Sequence, residues 1–315
     1  MKAAAIVVNH NGGEDLPRCL ESLLAQTVPV EVVLVDCASE DDSRQLVASP
    51  PPGVRVVALS ENLGYTGGAN AGLGMVGGDV EAVGFFNPDC FPEPDFFAVC
   101  LEVLAKNPDV GGVAPRLLRD DGCTLDSCGQ VLTPWMLMVR DRGYGLPATG
   151  RYPAAERVLA ACGAGMVYRR EALERVRVDG EVFPSEFFAF WEDLDLGWRV
   201  SASGYRVLYE PRAVAVHRRG ATARKGKGRL LFRRPAPLAA AYLLNRWATL
   251  LRNLHWRDAW WRLPLLVGWD TAMVVGLTVR KPSALVYLVR ASHRLQRAAR
   301  QRRVVVRKPL RELAQ

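Results

Sequence analysis

Phe85-Phe86-Asn87-Pro88-Asp89-Cys90 is the stretch on which the reading of this chain turns. An apolar run over 83–86 stops abruptly at a polar turn with a single carboxylate. A short apolar run bounded by turn residues predicts a buried strand. In an open α/β sheet, ligands bind just beyond the carboxyl ends of the strands. Asp89 therefore stands where a metal-binding carboxylate would stand. The same residues also suit a plain Asx turn ahead of a helix starting near Pro94.

Upstream, the pattern is that of alternating strands and helices. Residues 3–8 are apolar and rich in β-branched side chains, which predicts a buried parallel strand. Asn9-His10-Asn11-Gly12-Gly13 is a loop, and Glu14 and Asp15 open a helix with apolar spacing at Leu16, Leu20, Leu23 and Leu24. A second strand over 31–35 ends at Asp36. A helix from Ser39-Glu40-Asp41-Asp42 stops before Pro50-Pro51-Pro52, and residues 54–59 form a third strand. This is the βαβαβ half of a doubly wound sheet. Next comes Glu61-Asn62-Leu63-Gly64-Tyr65-Thr66-Gly67-Gly68-Ala69-Asn70. Its glycines permit close backbone approach to a ligand, and a helix expected over 69–75 points its N-terminus toward any phosphate. A plain glycine-rich turn fits equally well. The spacing matches neither a Walker loop nor a dinucleotide fingerprint.

Downstream, a helix is expected over 95–106, a strand over 111–115, and a hairpin with a long loop over 120–160, a common place for acceptor selection. Residues 162–170 read as a strand entering a helix. Then comes Phe187-Phe188-Ala189-Phe190-Trp191-Glu192-Asp193-Leu194-Asp195. Acids in a first helical turn are favoured by the helix dipole alone. Beside apolar walls, such a carboxylate can instead have a raised pKa and act as a base. Two strands, 205–208 and 213–216, lead to His217. A lone histidine in that position is usually a surface or core residue.

Charge is unevenly distributed. Residues 1–217 carry 18 Lys and Arg against 30 Asp and Glu, whereas residues 218–315 carry 23 against 3. An acidic body with a basic tail predicts a polyanionic surface as the tail's partner. A basic connector over 218–234 precedes helical apolar runs at 238–251, 263–279 and 284–289, with Trp247, Trp256, Trp260, Trp261 and Trp269 interspersed. The run at 263–279 contains Asp270 and is marginal for spanning a bilayer. Trp-bearing, Arg-flanked helices fit the interface of an anionic membrane, and a helical subdomain packed on the sheet is the plainer reading. No nucleic-acid-binding motif is present. The seven cysteines lack zinc spacing and fit a reducing compartment, and residues 3–8 are too short for a signal-peptide core.

Taken together, these stretches resemble the family 2 inverting glycosyltransferases of the GT-A fold, especially a bacterial rhamnosyltransferase-like branch. The resemblance runs over about residues 1–220. It is carried in order by Val7-Val8-Asn9-His10-Asn11-Gly12, Val33-Leu34-Val35-Asp36-Cys37-Ala38-Ser39, the glycine-rich segment, Asn87-Pro88-Asp89, residues 163–170, the Phe187 to Leu196 stretch and His217. It implies a doubly wound mixed α/β sheet flanked by helices (1–225) with a C-terminal, membrane-associating helical extension (226–315). It also implies donor contacts from Asn9, Asn11, Asp36, Asn62, Gly64, Gly68, Asn70, Asn87 and Asp89. Trp191 and Glu192 would contact the acceptor, and Asp193 would be the general base. Asp89 and His217 would hold Mg²⁺ or Mn²⁺. Asn87 stands where the family often has the first acid of Asp-x-Asp, a pattern similar to that of the dTDP-rhamnose users.

The function implied is inverting transfer of a sugar, rhamnose from dTDP-rhamnose, to a lipid-linked or polysaccharide acceptor at the cytoplasmic face of the membrane. Donors based on UDP or GDP remain open. Two rivals compete with it. A nucleotide-sugar-binding protein with a decayed site would explain Asn87. A nucleotidyltransferase would need basic residues in the loop over 9–13, which has no Lys or Arg.

Overall fold

The computed structural model describes residues 1–219, 232 and 234–313. The first half runs β1 (Ala3–Asn9), α1 (Leu16–Leu24), β2 (Val30–Cys37), α2 (Ser43–Ala48), β3 (Val54–Leu59), α3 (Gly64–Met75), β4 (Ala82–Phe86), β5 (Cys90–Pro92) and α4 (Phe96–Lys106). Then follow β6 (Val110–Leu118), β7 (Leu125–Ser127), β8 (Gln130–Leu132), β9 (Val139–Asp141), β10 (Glu156–Val158), β11 (Gly165–Arg169), α5 (Arg170–Arg175), α6 (Glu192–Ala202) and β12 (Arg206–His217). The C-terminal helices are α7 (Ala236–Asn253), α8 (Trp256–Ala259), α9 (Leu263–Arg280), α10 (Ser283–Arg290), α11 (His293–Gln301) and α12 (Leu310–Leu313). The expected basic connector falls largely on residues 220–231 and 233, outside those described.

The main sheet has the order β10-β12-β6-β11-β4-β1-β2-β3. Strands β3, β2, β1 and β4 are parallel, as the βαβαβ pattern predicts. β11 then runs antiparallel to both β4 and β6, which makes the sheet mixed. β1 and β4 are buried along their whole length because helices cover both faces. Ala4, Ile6 and Val8 pack with α3, α5 and α6, while Ala3, Ala5 and Val7 pack with α1 and α4.

Register sets up the site. Asn9 lies opposite Asp36, Val7 opposite Phe86, and Phe86 opposite Gly165. β12 pairs through His217 with Cys90 of β5. The ends of β1, β2, β4 and β12 therefore converge around Asn87-Pro88-Asp89.

Two elements differ from expectation. β12 is one strand, not two. Its pairing to β6 shifts register between Glu210 and Val214, so the chain bulges around Pro211 and continues. α3 begins at Gly64, not at Ala69, and its glycines serve packing rather than a loop. A Cβ at Gly68 would lie 2.5 Å from Val8 Cγ1, and one at Gly72 2.5 Å from Ile6 Cγ2.

The C-terminal helices are anchored on the sheet unit. α7 is buried on most sides and carries two fully buried arginines. Arg246 meets Asp270 of α9 (Nη1 to Oδ2, 2.6 Å), and Arg252 donates to Asp195 Oδ1 of α6 (2.6 Å) and to Gln301 Oε1 of α11 (2.8 Å). α9 and α10 instead turn many apolar side chains outward, Val279 and Val289 among the most exposed. Among the described residues, α9 alone is long and apolar enough to cross a membrane.

Candidate active site

A cleft of about 750 Å³ opens where those strand ends converge. Its lining includes His10, Asn11, Asp41, Asn62, Gly64, Asn87 and Asp89 together with Gln130, Gly163, Phe188, Glu192, Asp193, His217, Arg219 and Arg234. Of the residues predicted to contact a donor, Asn11, Asn62, Gly64, Asn87 and Asp89 line the cleft.

Asn9, Asp36, Gly68 and Asn70 do not. Asn9 Nδ2 donates to Asp36 Oδ1 (2.8 Å), Ser39 Oγ (3.0 Å) and Ser43 Oγ (3.0 Å), and Ser39 Oγ donates to Asp36 Oδ1 (2.6 Å). This buried network ties the loop after β1 to the loop after β2, so these polar groups spend their hydrogen bonds inside the wall. Gly68 is pressed onto Val8. Asn70 bonds both backbone groups of Phe183, at 2.7 and 3.1 Å. Trp191, expected to meet an acceptor, is 2% exposed and packs on Tyr242, because its left-handed backbone turns the ring inward (φ 72°).

His217 and Asp89 do come together, with Nε2 3.4 Å from Oδ1. Asp126, fully buried, accepts from Nδ1 at 2.8 Å and is itself paired with Arg219. Burial opposes charge on the imidazole, but the bonds to Asp126 and Asp89 outweigh it and raise His217 to about 9. A carboxylate on the far nitrogen is the usual orienting partner of a metal-bound histidine. Neighbouring ligands of an octahedral ion lie about 3 Å apart, so an oxygen and a nitrogen at this separation fit one divalent cation. Among the described residues no third His, Cys, Asp or Glu completes a cluster. Such an ion would share its shell with ligand oxygens or water.

In the same cleft, Asp193 Oδ2 accepts from Gln130 Nε2 (2.7 Å) and the Gly163 amide (2.9 Å). Burial raises its pKa, and the Gly163 amide counteracts part of that rise. Glu192 is buried with Oε2 lacking a hydrogen-bond partner among the described residues. Burial, then the Asp193 charge, lifts it to about 8. The acids are presented by a strained approach: Phe188, Phe190 and Trp191 all have positive φ (62°, 75° and 72°). Each such residue costs about 1–3 kcal/mol and persists only where its surroundings impose it. Gly64 is part of that surrounding, since a Cβ there would lie 2.4 Å from Phe188 O.

Gln130, Asp126, Arg219 and Arg234 were not singled out from sequence. They sit in or after segments without periodicity, and nothing local marks them.

The model of glycosyl transferase family 2 matches residues 4–177. The chain belongs to this family, and it is a glycosyltransferase. The family 2 enzyme is 28% identical over 288 residues to an N-acetylglucosaminyl-diphospho-decaprenol L-rhamnosyltransferase of Mycobacterium tuberculosis (strain ATCC 25618 / H37Rv), covering 82% of this chain and 86% of the relative. It is 45% identical over 124 residues to succinoglycan biosynthesis protein ExoO of Rhizobium meliloti (strain 1021), covering 36% and 35% of the two chains. Among solved structures it resembles the mannosyltransferase PcManGT of Pyrobaculum calidifontis, determined with GDP-Man and Mn²⁺ (TM-score 0.54, 20% identity, 96% and 86% covered). It also resembles GalNAc-T7 with UDP, GalNAc and Mn²⁺ (TM-score 0.59, 14% identity), covering 80% of this chain but only 48% of that one. At these identities the structural likeness establishes the GT-A fold alone.

Proposed function

We propose that this family 2 enzyme transfers rhamnose from dTDP-rhamnose, with inversion, to a lipid-linked or polysaccharide acceptor at a membrane surface. The observation that carries the reading is one cleft lined by the Asp89–His217 pair and by Asp193. Support for rhamnose and a lipid-linked acceptor comes from the M. tuberculosis relative, whose similarity spans most of both chains. Asn87 in place of an acid agrees with it.

In this reading Asp193 takes the proton of the acceptor hydroxyl as its oxygen bonds the anomeric carbon. The bond to the diphosphate oxygen breaks on the opposite face of a transition state with oxocarbenium character. Gln130 and the Gly163 amide favour the ionised form of the Asp193 carboxylate against burial and aim it. Asn11, Asn62, Gly64 and Asn87 bind the donor. A divalent cation held by Asp89 and His217 supplies charge neutralisation for the leaving diphosphate when bound. Residues 1–225 are the catalytic unit. The extension lies on the cytoplasmic face of the membrane through the Trp-rich, apolar faces of α8 to α10, and the Arg246–Asp270 pair favours α9 docked on α7 over α9 spanning alone.

The test is a panel of dTDP-, UDP- and GDP-sugars with Mg²⁺ or Mn²⁺ and a prenyl-diphospho-N-acetylglucosamine acceptor. Turnover with dTDP-rhamnose above the others supports the proposal; preference for a UDP- or GDP-sugar overturns the donor assignment.

A further inference from the structure

The loop over 187–191 is the most strained segment beside the acids, and its own sequence does not explain how it is held. Phe188 (φ 62°, ψ −60°) is the centre of a γ-turn with positive φ, closed by the Ala189 amide on Phe187 O at 2.7 Å. Such a turn is rare without external support. Part of the support comes from α3, whose Thr66 amide donates to Phe188 O at 3.2 Å, and the rest from the C-terminal extension. Asn245, fully buried in the middle of α7, points its amide into the loop. Nδ2 donates to Phe187 O (2.8 Å), Ala189 O (2.9 Å) and Phe190 O (3.0 Å). Arg294 of α11 donates to Asn245 Oδ1 at 3.2 Å, which fixes the orientation of the amide. One side chain thus gathers three carbonyls that a relaxed loop would point apart. Immediately beyond them come Glu192 and Asp193, and Phe188, Ala189 and Phe190 line the cleft themselves.

We propose that Asn245 is a positioning residue: from the extension, it imposes the loop conformation that sets Asp193 and the cleft wall for acceptor attack. The inference rests on Asp193 facing the acceptor. It makes the extension a working part of the active site, which membrane attachment alone would not require. Asn245 makes its bonds to the loop carbonyls and not to Asn11, Asn62 or Asp89, so the larger effect of its loss falls on transfer rather than on donor affinity.

The experiment compares the full-length parent with Asn245→Leu, which keeps the branched four-heavy-atom skeleton of the side chain and removes its donors. Three quantities are read: dTDP affinity by calorimetry, kcat for transfer, and chymotryptic cleavage of the native protein mapped by mass. The expected result is dTDP affinity within about twofold of the parent, kcat lower by about a hundredfold as for a misplaced reacting group, and new cleavage at Phe188 or Phe190. A fall in kcat without loop cleavage, or cleavage without a fall in kcat, overturns the proposal. If Asn245→Leu does not fold, Asn245→Ser, retaining one donor, carries the same comparison: a smaller loss with partial cleavage supports the proposal, and parent-like behaviour overturns it. If the parent itself does not use dTDP-rhamnose, the donor assignment fails. Loop cleavage and transfer from whichever donor the panel finds then decide the role of Asn245.

Discussion

His217 meets Asp89 across the rim of the cleft, Nε2 3.4 Å from Oδ1, and the pairing of β12 with β5 enforces the meeting. Neither residue could reach the other without that antiparallel register.

The orienting carboxylate behind His217 gives the first prediction. Asp126→Asn should raise the Mn²⁺ concentration needed for half-maximal rate by about 10- to 100-fold. Asp89→Ala should abolish metal-dependent turnover. Metal titrations of the chelator-treated enzyme check both, and an unchanged titration for Asp126→Asn would remove the orienting role.

Asp193→Asn should lower kcat by about 10²- to 10⁴-fold with donor affinity retained. Gln130→Leu removes a hydrogen bond that favours the ionised carboxylate, so the Asp193 pKa rises and the acidic limb of the pH–rate profile moves to higher pH. A limb that stays in place or moves to lower pH would contradict the assigned bond.

Glu192 sets a pH dependence of stability. It titrates at about 8 in the folded chain against 4.5 ordinarily, through burial first and the Asp193 charge second. Between these values the unfolded chain has released the proton and the folded chain still holds it. Stability from this group is therefore complete below the unfolded pKa and is lost as pH rises toward about 8. Asp193, also raised, acts in the same direction. Glu192→Gln should flatten the fall of Tm across that window; parallel melting curves for parent and variant would count against it.

Arg252 clamps α6 to the extension through Asp195 and Gln301. Arg252→Ala leaves Asp195 buried with Arg199 and Asn253 but without its second cation, and should destabilise the fold by about 3–5 kcal/mol. Urea denaturation measures it. A loss under about 1 kcal/mol, typical of a surface pair, would show that the clamp is not needed.

Trp256 and Trp260 are 61% and 68% exposed beside a strongly basic helical surface. Replacing both with Ser should weaken binding to vesicles containing phosphatidylglycerol by at least about tenfold, since burying one large apolar side chain is worth about 1.5–3 kcal/mol. Sedimentation with vesicles, at low and high salt, reads the effect. Equal binding by parent and variant would place the membrane contact elsewhere.

Strand ends and turn residues were legible because both signals are local: β1, β2 and β4 lie where apolar runs meet Asn, Asp and Gly. The order of motifs was enough to name the family. The three acids opening α6 were legible as a group, and only the family resemblance assigned roles to Glu192 and Asp193. Asp193 faces the cleft, whereas Asp195, two residues on, is fully buried against Arg199 and Arg252. Helical rotation and the partners on α7 separate them, and those partners lie far along the chain.

By itself the sequence determined the βαβαβ half, the placement of Asp89 at a strand end, the acid pair and the division into an acidic body and a basic tail. These follow from periodicity, turn chemistry and composition, which short windows contain. Only the tertiary structure decided that Asn9, Asp36, Gly68 and Asn70 build the wall and do not line it, that Asp126 stands behind His217, and that Asn245 and Arg252 of the extension bond to the loop over 187–191 and to α6. Each of those outcomes depends on which distant group satisfies a buried polar atom, and that choice exists only once the chain has closed on itself.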